Sequence, residues 1–218
     1  ALIHYFHVQP FIVTLAGMFF ARGMCFFISL DAIPIRHPFY RTLALTRIPI
    51  PGFERAFVSI SVVISLLVLL AIMYLAHFTR FGRTVYAIGG NERSAMLMGL
   101  PVSSTKIMVY VLSGFCSSLG GVLVTLYMQS GYGLHALGME LDAIAAAVIG
   151  GTLLTGGVGY LAGTLVGVLI LGVIQTLIAF DGELSSWWTR IGIGALLFVF
   201  CLMQRMLERS SKKIQAKR

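Results

Sequence analysis

Charged side chains are scarce in this sequence. Asp, Glu, Lys and Arg make up 11% of the 218 residues, whereas a soluble domain carries about 25%. Apolar residues account for 58% of the chain, and the mean hydropathy is +0.92. This composition excludes an ordinary water-soluble domain, because most of the chain has no polar surface to present to water. The length is therefore better counted in membrane spans of about 20 residues.

The sequence also lacks the patterns of catalytic and metal sites. No cysteine or histidine pair has metal-ligand spacing, and no Ser-His-Asp arrangement can be argued. The three cysteines, Cys25, Cys116 and Cys201, lie in apolar runs, where small core residues are expected. The five histidines are His4, His7, His37, His77 and His135. We therefore predict no catalytic residue and no metal site, and a membrane-embedded enzyme is a weak alternative.

Acidic residues are outnumbered, so the formal net charge is +8. Six of the sixteen basic residues stand at the C-terminus: Arg205, Arg209, Lys212, Lys213, Lys217 and Arg218. A basic cluster directly after an apolar run is typical of a cytoplasmic flank near anionic lipid. This placement argues against nucleic acid as a partner and predicts a basic cytoplasmic tail over residues 207–218.

Long apolar runs are what the chain does have. Five of them cover residues 11–30, 57–76, 107–127, 160–180 and 188–206, and a shorter one covers 143–154. About a dozen residues are few for a span, so the short run is typical of a re-entrant or broken helix. We predict an all-α fold, a polytopic transmembrane helical bundle with about six membrane segments in a single domain over residues 1–218.

The loop charges predict an orientation. If all six segments cross and the tail is inside, loops 77–106 and 155–159 lie inside, and loops 31–56, 128–142 and 181–187 lie outside. The inside loops and tail then hold the excess of Lys and Arg, as the positive-inside rule requires.

Glycine spacing adds a packing prediction. Gly159, Gly163 and Gly167 repeat every four residues, which places them on one helix face and lets two helix backbones approach closely. Residues 157–162 formally match a dinucleotide fingerprint, but neither a strand nor a βαβ unit accompanies them.

The loop over residues 77–106 has its own helix signals. Asn91 suits the N-cap of a short helix, Gly99 suits a left-handed stop, and Pro101 blocks continuation. The pair Gly89–Gly90 is expected to let the chain turn sharply before it. With Ala95 and Met98 upon it, this helix is expected either to bind a partner or to lie on the membrane surface. The residues alone favour neither.

Three motifs in this order resemble the ribose-type, binding-protein-dependent ABC sugar importer permeases. They are PFIVTL at 10–15 followed by Arg22-Gly23, FGRTVYAIGGN at 81–91, and ELDAIA at 140–145 followed by VIGGT at 148–152 and GGVG at 156–159. Residues 15–20 and 180–189 resemble more narrowly a permease subunit of bacterial galactofuranose importers. Family members are about half as long again, so the chain is expected to be their C-terminal two-thirds.

The resemblance implies a division of labour at the bacterial inner membrane. A periplasmic sugar-binding protein would deliver the sugar, two permease subunits would form the path, and a cytoplasmic ABC ATPase would bind ATP and Mg²⁺. The absence of a Walker lysine motif agrees with a chain that holds no cofactor itself. Loop 77–106 would be the cytoplasmic coupling loop, with the coupling residues Gly89, Gly90, Asn91, Glu92, Ser94, Ala95, Met98 and Gly99.

Candidate sugar contacts are aromatic, amide and acidic side chains near the predicted outer mouth. They are Tyr127, Gln129, Tyr132, Glu140 and Asp142, for each of which a loop or interface role is the simpler alternative. Branched-chain amino acid permeases are the alternative within the wider fold. An ion-driven secondary transporter is a second alternative, but such a protein needs ionisable groups at mid-membrane, and only Arg22 lies deep in an apolar run.

Overall fold

The computed structural model describes residues 6, 8–49, 57–181 and 186–215. The chain divides into two compact units. The first unit comprises Ala1–Val85 and Gly99–Leu137, and the second comprises Tyr86–Met98 and Gly138–Arg218. Each unit is described below by itself.

Nine helices and four short strands make up the described part of the chain. The helices are α1 (Pro10–Ile28), α2 (Pro38–Leu45), α3 (Ile60–Phe78), α4 (Arg80–Gly90), α5 (Glu92–Leu97), α6 (Val102–Met128), α7 (Met139–Ile149), α8 (Leu161–Asp181) and α9 (Ser186–Gln215). The strands are β1 (Ile33–Pro34), β2 (Arg47–Pro49), β3 (Phe57–Ser59) and β4 (Ser130–Gly131).

Four of these helices are long and apolar enough to cross a membrane. They are α1, α3, α6 and the Leu161–Phe180 part of α8, with 19 to 27 residues each. At 1.5 Å per residue, such helices reach about 28 to 40 Å and match a hydrocarbon core of about 30 Å. Helix α9 adds a shorter apolar stretch over Arg190–Gln204. The prediction of an all-α polytopic membrane bundle is thus confirmed.

Short antiparallel strand pairs join the helix ends of the first unit. Strand β1 pairs with β4, and β2 pairs with β3. The second apolar run was predicted to begin at residue 57, but α3 begins at Ile60 because residues 57–59 pair with β2. Helix α6 ends at Met128, and Gln129 follows it in the left-handed region at φ 52°.

Helices α7, α8 and α9 form the core of the second unit. Their buried cluster is Ala145, Ala146, Leu171 and Ile193. Helix α7 corresponds to the short sixth run, but it covers Met139–Ile149 instead of the predicted 143–154. It ends there because the chain enters a glycine-rich stretch in which Gly151, Gly156 and Gly157 have positive φ. Eleven residues reach only about 16 Å, roughly half the hydrocarbon core.

Loop 77–106 contains two helices, α4 and α5, where the sequence predicted one. Thr79 caps α4, since its Oγ1 accepts a hydrogen bond from the Gly82 amide at 3.3 Å. The prediction that Gly89–Gly90 makes a sharp turn is wrong, because both glycines lie within α4. The break between the helices falls one residue later, at Asn91.

Candidate functional site

The segment Tyr86–Met98, the part of the loop that belongs to the second unit, is here named the coupling segment. Its break is built by Asn91, whose Oδ1 accepts a hydrogen bond from the Ser94 amide at 3.0 Å. Glu92 follows in the first turn of α5, where a negative charge is favoured by the helix dipole. Helix α5 ends at Leu97, Met98 is its C-cap, and Gly99 beyond it has φ +76°. The predicted N-cap and left-handed stop are confirmed.

The two sides of α5 differ in exposure. Ala95 is fully buried, whereas Met96, Leu97 and Met98 are 61%, 89% and 68% exposed. The predicted coupling residue Ala95 therefore lies on the inner side of the segment, and Met98 lies on the outer side. Three adjacent apolar side chains at a loop end, without internal contacts to cover them, form a surface suited to a partner.

The coupling segment is attached to the glycine-rich stretch that follows α7. The Tyr86 hydroxyl donates a hydrogen bond to the Gly159 carbonyl at 2.9 Å. Gly89 lies directly against Gly157, because a Cβ on Gly89 would be 2.6 Å from the Gly157 nitrogen. Gly156 and Gly157 have φ of +89° and +79°, a conformation that side chains rarely permit. Two backbones thus meet with no side chain between them.

The same backbone contact continues into the membrane helices. A Cβ on Gly163 would overlap the Gly150 carbonyl oxygen, and one on Gly167 would overlap the Ala146 carbonyl oxygen. From Gly163 to Gly167 the chain advances by four residues on α8, whereas the contacted residue moves back by four, from Gly150 to Ala146. The two helices therefore run antiparallel. The predicted packing face differs at one residue: α8 begins at Leu161, so Gly159 lies before the helix and faces the Thr152 side chain.

Helix α9 is joined to the end of α7 and the glycine-rich stretch by one side-chain amide. The Gln204 Nε2 donates to the carbonyls of Val148 at 3.1 Å and Thr152 at 3.4 Å. The end of α7, the glycine-rich stretch, the coupling segment and the C-terminal part of α9 therefore share one face of the second unit. Residues 86–98, 148–159 and Gln204 are thus in contact, and the predicted side of the membrane for loops 77–106 and 155–159 and the tail stays a prediction.

The five predicted sugar contacts fall in different units. Tyr127, Gln129 and Tyr132 belong to the first unit, and Glu140 and Asp142 stand in the first turn of α7 in the second unit. Tyr127 and Gln129 line the same cleft. Tyr132 instead contacts His135 edge to face, with 5.5 Å between the ring centroids. Their assignment to a sugar path stays a prediction.

Three features escaped the sequence interpretation. Tyr86 and the pair Gly156–Gly157 stand within the quoted motifs, so motif position was a signal, but nothing in the sequence indicated that the two motifs touch. Gln204 had no signal at all, since it is one amide in an apolar helix. Among the described residues no group of three His, Cys, Asp or Glu side chains is placed to hold a metal ion.

Comparisons with known proteins cover most of the chain. A family model described as branched-chain amino acid transport system / permease component matches residues 1–201. No solved structure matches the chain.

Several curated permeases are similar to the chain. The inner membrane ABC transporter permease protein YjfF of Escherichia coli K12 is 53% identical over 206 residues, which is 94% of this chain and 62% of that protein. The fructose import permease protein FruG of Bifidobacterium longum is 39% identical over 94% of this chain and 61% of its own length. The ribose import permease protein RbsC of Bacillus subtilis is 36% identical, with 91% and 60% covered. The chain thus spans about 60% of the length of these relatives.

Proposed function

We propose, from the premise that this chain belongs to the branched-chain amino acid transport system / permease component family, that it is part of the membrane-spanning permease subunit of an ATP-binding-cassette sugar importer. The relatives that cover nearly all of it are named as ABC, fructose and ribose permeases. Four apolar helices of spanning length support a multi-pass position in the bacterial inner membrane.

The observation that carries this proposal is the exposed apolar tip of the coupling segment. Met96, Leu97 and Met98 stand out from a segment whose other side is fixed to the second unit through Tyr86 and Gly89. An exposed apolar tip on a fixed base suits a groove of a separate domain, which here is the partner ATPase with its ATP and Mg²⁺. The charge distribution supports a cytoplasmic location, since the shared face carries the end of α9 and the basic tail follows it.

The contacts suggest how the ATPase would act on the path. Closure of the ATPase upon ATP would move α5, and the Gly89–Gly157 contact and the Tyr86–Gly159 hydrogen bond would carry that motion to the stretch between α7 and α8. A backbone contact without intervening side chains transmits displacement because no rotamer change can absorb it. The permease would thereby switch between two arrangements biased by ATP.

The cargo is proposed at two levels. A sugar is supported by the names of the relatives, and galactofuranose by the resemblance of residues 15–20 and 180–189 to a galactofuranose importer subunit. Residues 182–185 of the second stretch lie outside the described residues. A periplasmic binding protein and a second permease subunit complete the proposed assembly. The family description also names branched-chain amino acids, which makes leucine the appropriate competing cargo.

The coupling role is tested by substituting the exposed tip in the full-length permease with its ATPase. We expect Leu97→Glu to weaken co-purification of the ATPase by roughly tenfold or more, because a buried unpaired charge costs well over 1 kcal/mol. Leu97→Met keeps the apolar surface and is the control. Ala95 is unsuitable, because a charge at a fully buried position would disturb the fold itself. Undiminished ATP-driven uptake by the Leu97→Glu protein would contradict the assignment.

The cargo is tested with the assembled transporter in proteoliposomes. Galactofuranose, ribose, fructose and leucine are each supplied with the binding protein, and uptake and stimulated ATP hydrolysis are measured. We expect stimulation by a sugar and none by leucine. Uptake that survives ATP depletion but collapses with a protonophore would instead identify a secondary transporter.

A further inference from the structure

A cleft of about 580 Å³ opens in the first unit, where α3 begins and α6 ends. The polar side chains that line it are Arg36, Arg41, Ser59, Ser61, Tyr127 and Gln129. The cleft floor is held in place by backbone hydrogen bonds, since the Ile35 amide donates to the Gln129 carbonyl at 2.9 Å and β1 pairs with β4 beside it. Its volume lies within the range of small-ligand sites, about 300 to 1,000 Å³.

The cleft is strongly cationic. Two guanidinium groups line it, and none of the described lining residues is acidic. Within the described part of the chain, the guanidinium groups of Arg36 and Arg41 make no hydrogen bond or ion pair with another residue. The Ser59 side chain makes no capping hydrogen bond to α3, which leaves its hydroxyl available as a donor. Such a set of donors fits an anion, because an anion can accept hydrogen bonds from both exposed guanidinium groups at once.

The position of the cleft indicates where the anion comes from. Helices α3 and α6 are both long enough to cross the membrane, and the cleft lies at the first residues of one and the last residues of the other. This is the level at which a span passes into the headgroup region. Helix α2, which supplies Arg41, also exposes Phe39 and Tyr40, and aromatic side chains are enriched at that level.

We propose that this cleft binds a phosphate group, supplied by the headgroup of an anionic phospholipid. Arginine matches phosphate oxygens with two parallel N–H donors, and the serine hydroxyls and the remaining Gln129 N–H supply neutral donors. The apolar lining residues Ala44 and Leu45 on α2 suit the first carbons of the acyl chains. The proposal does not rest on the transport function, since it uses only the first unit and its depth in the bilayer.

The test compares lipid retention by native mass spectrometry of the full-length permease, purified in detergent and titrated with phosphatidylglycerol or phosphatidylcholine. Replacing both arginines (Arg36→Gln with Arg41→Gln) is expected to weaken phosphatidylglycerol binding roughly 10- to 30-fold, since each basic residue near a membrane surface contributes about fivefold. Phosphatidylcholine binding should not change. The matched Arg36→Lys with Arg41→Lys protein keeps both charges and should retain most of the binding.

Three results would overturn the proposal. Equal phosphatidylglycerol retention by the wild-type and double-glutamine proteins would show that the cleft holds no lipid phosphate. Thermal stabilisation by inorganic phosphate that depends on the arginines, without lipid retention, would make it a site for a free anion. A raised KM for sugar uptake by the double-glutamine protein, with unchanged lipid retention, would indicate that the cleft with Tyr127 and Gln129 belongs to the sugar path. Should the double-glutamine protein unfold, Arg36→Gln alone gives the same comparison with about a fivefold expected effect.

Discussion

Several glycines of the second unit are in close backbone contact, whereas the glycines in the membrane-spanning helices of the first unit are not. In the second unit Gly89, Gly150, Gly156, Gly157, Gly163 and Gly167 each lie against another stretch of backbone. In the membrane-spanning helices of the first unit, Gly17, Gly23, Gly114, Gly120 and Gly121 have no atom within 4 Å of where a Cβ would stand. These six glycines therefore mark close backbone packing, whereas the five in the spans of the first unit mark open helix surface.

This difference shows where the chain is closely packed. Apolar side chains gain little by leaving lipid for another helix, so helices in a membrane associate through close packing and hydrogen bonds. The second unit satisfies that requirement within this chain, by backbone contact from Gly167 on α8 to Gly89 in the coupling segment. The spans of the first unit leave their glycine surfaces uncovered. The coupling segment therefore belongs to the better-packed side of the molecule.

The largest effect is expected where two helices meet at the backbone. Gly163→Ala would place a methyl group on the Gly150 carbonyl, and the helices must then separate. We expect a loss of about 2–3 kcal/mol of unfolding free energy, as in overpacked cores. Gly114→Ala in α6 is the matched control, because it adds the same atom in open space and should change stability by less than about 0.5 kcal/mol. Thermal unfolding of both full-length proteins in detergent measures the difference, and equal melting temperatures would remove the contrast between the units.

An intermediate effect is expected at the coupling segment, where two adjacent glycines provide the comparison. A Cβ on Gly89 would stand 2.6 Å from the Gly157 nitrogen, whereas one on Gly90 would meet nothing within 4 Å. We expect Gly89→Ala to lower sugar uptake per ATP hydrolysed by roughly tenfold, since displacing the contact costs about 1–3 kcal/mol. Gly90→Ala should stay within about twofold of the wild type. A Gly90→Ala protein as defective as Gly89→Ala would show that helix propensity, not contact, governs this segment.

The smallest effect concerns the amide that joins α9 to α7. Gln204→Leu removes the hydrogen bonds to the Val148 and Thr152 carbonyls, and we expect a loss of about 1–2 kcal/mol in unfolding free energy. Gln175→Leu makes the same change in α8, and no hydrogen bond of that side chain is described. Chemical denaturation of the two proteins in detergent tests the pair. If Gln175→Leu cost as much, the amide would have no special part in the second unit.

The sequence predicted what depends on local composition. Apolar runs located the membrane helices to within a few residues, and the side-chain chemistry of Asn91 and Gly99 located the ends of α5. The errors lie where distant residues decide. Local sequence around Gly89 predicts a turn, but a glycine is required there because Gly157, 68 positions further along the chain, lies against it. Residues 57–59 read as helix, but pairing with β2 makes them a strand.

The candidate sites divide in the same manner. The quoted motif contained Tyr86 and Gly89, yet the contact between the two motifs is a property of the fold and has no signature in either. The sequence could not predict that Ala95 is buried and Met96 exposed, because it does not show which side of α5 faces inward. Gln204 and the arginine cleft arise from residues far apart in the chain, and single-sequence patterns do not report such proximity.

The left-handed backbone of Gln129 determines which residues position 129 can accept. Among the described residues with positive φ, five are glycines and two are not: the glycines are Gly99, Gly138, Gly151, Gly156 and Gly157, and the others are Gln129 and Ala136. A glutamine at φ 52° costs about 1–2 kcal/mol more than glycine would, and its Nε2 hydrogen bond to the Leu126 carbonyl at 2.6 Å returns a comparable amount. Replacement by glycine would therefore be nearly neutral for folding. A Gln129→Gly protein would therefore separate what this side chain contributes to binding in the cleft from what it contributes to folding.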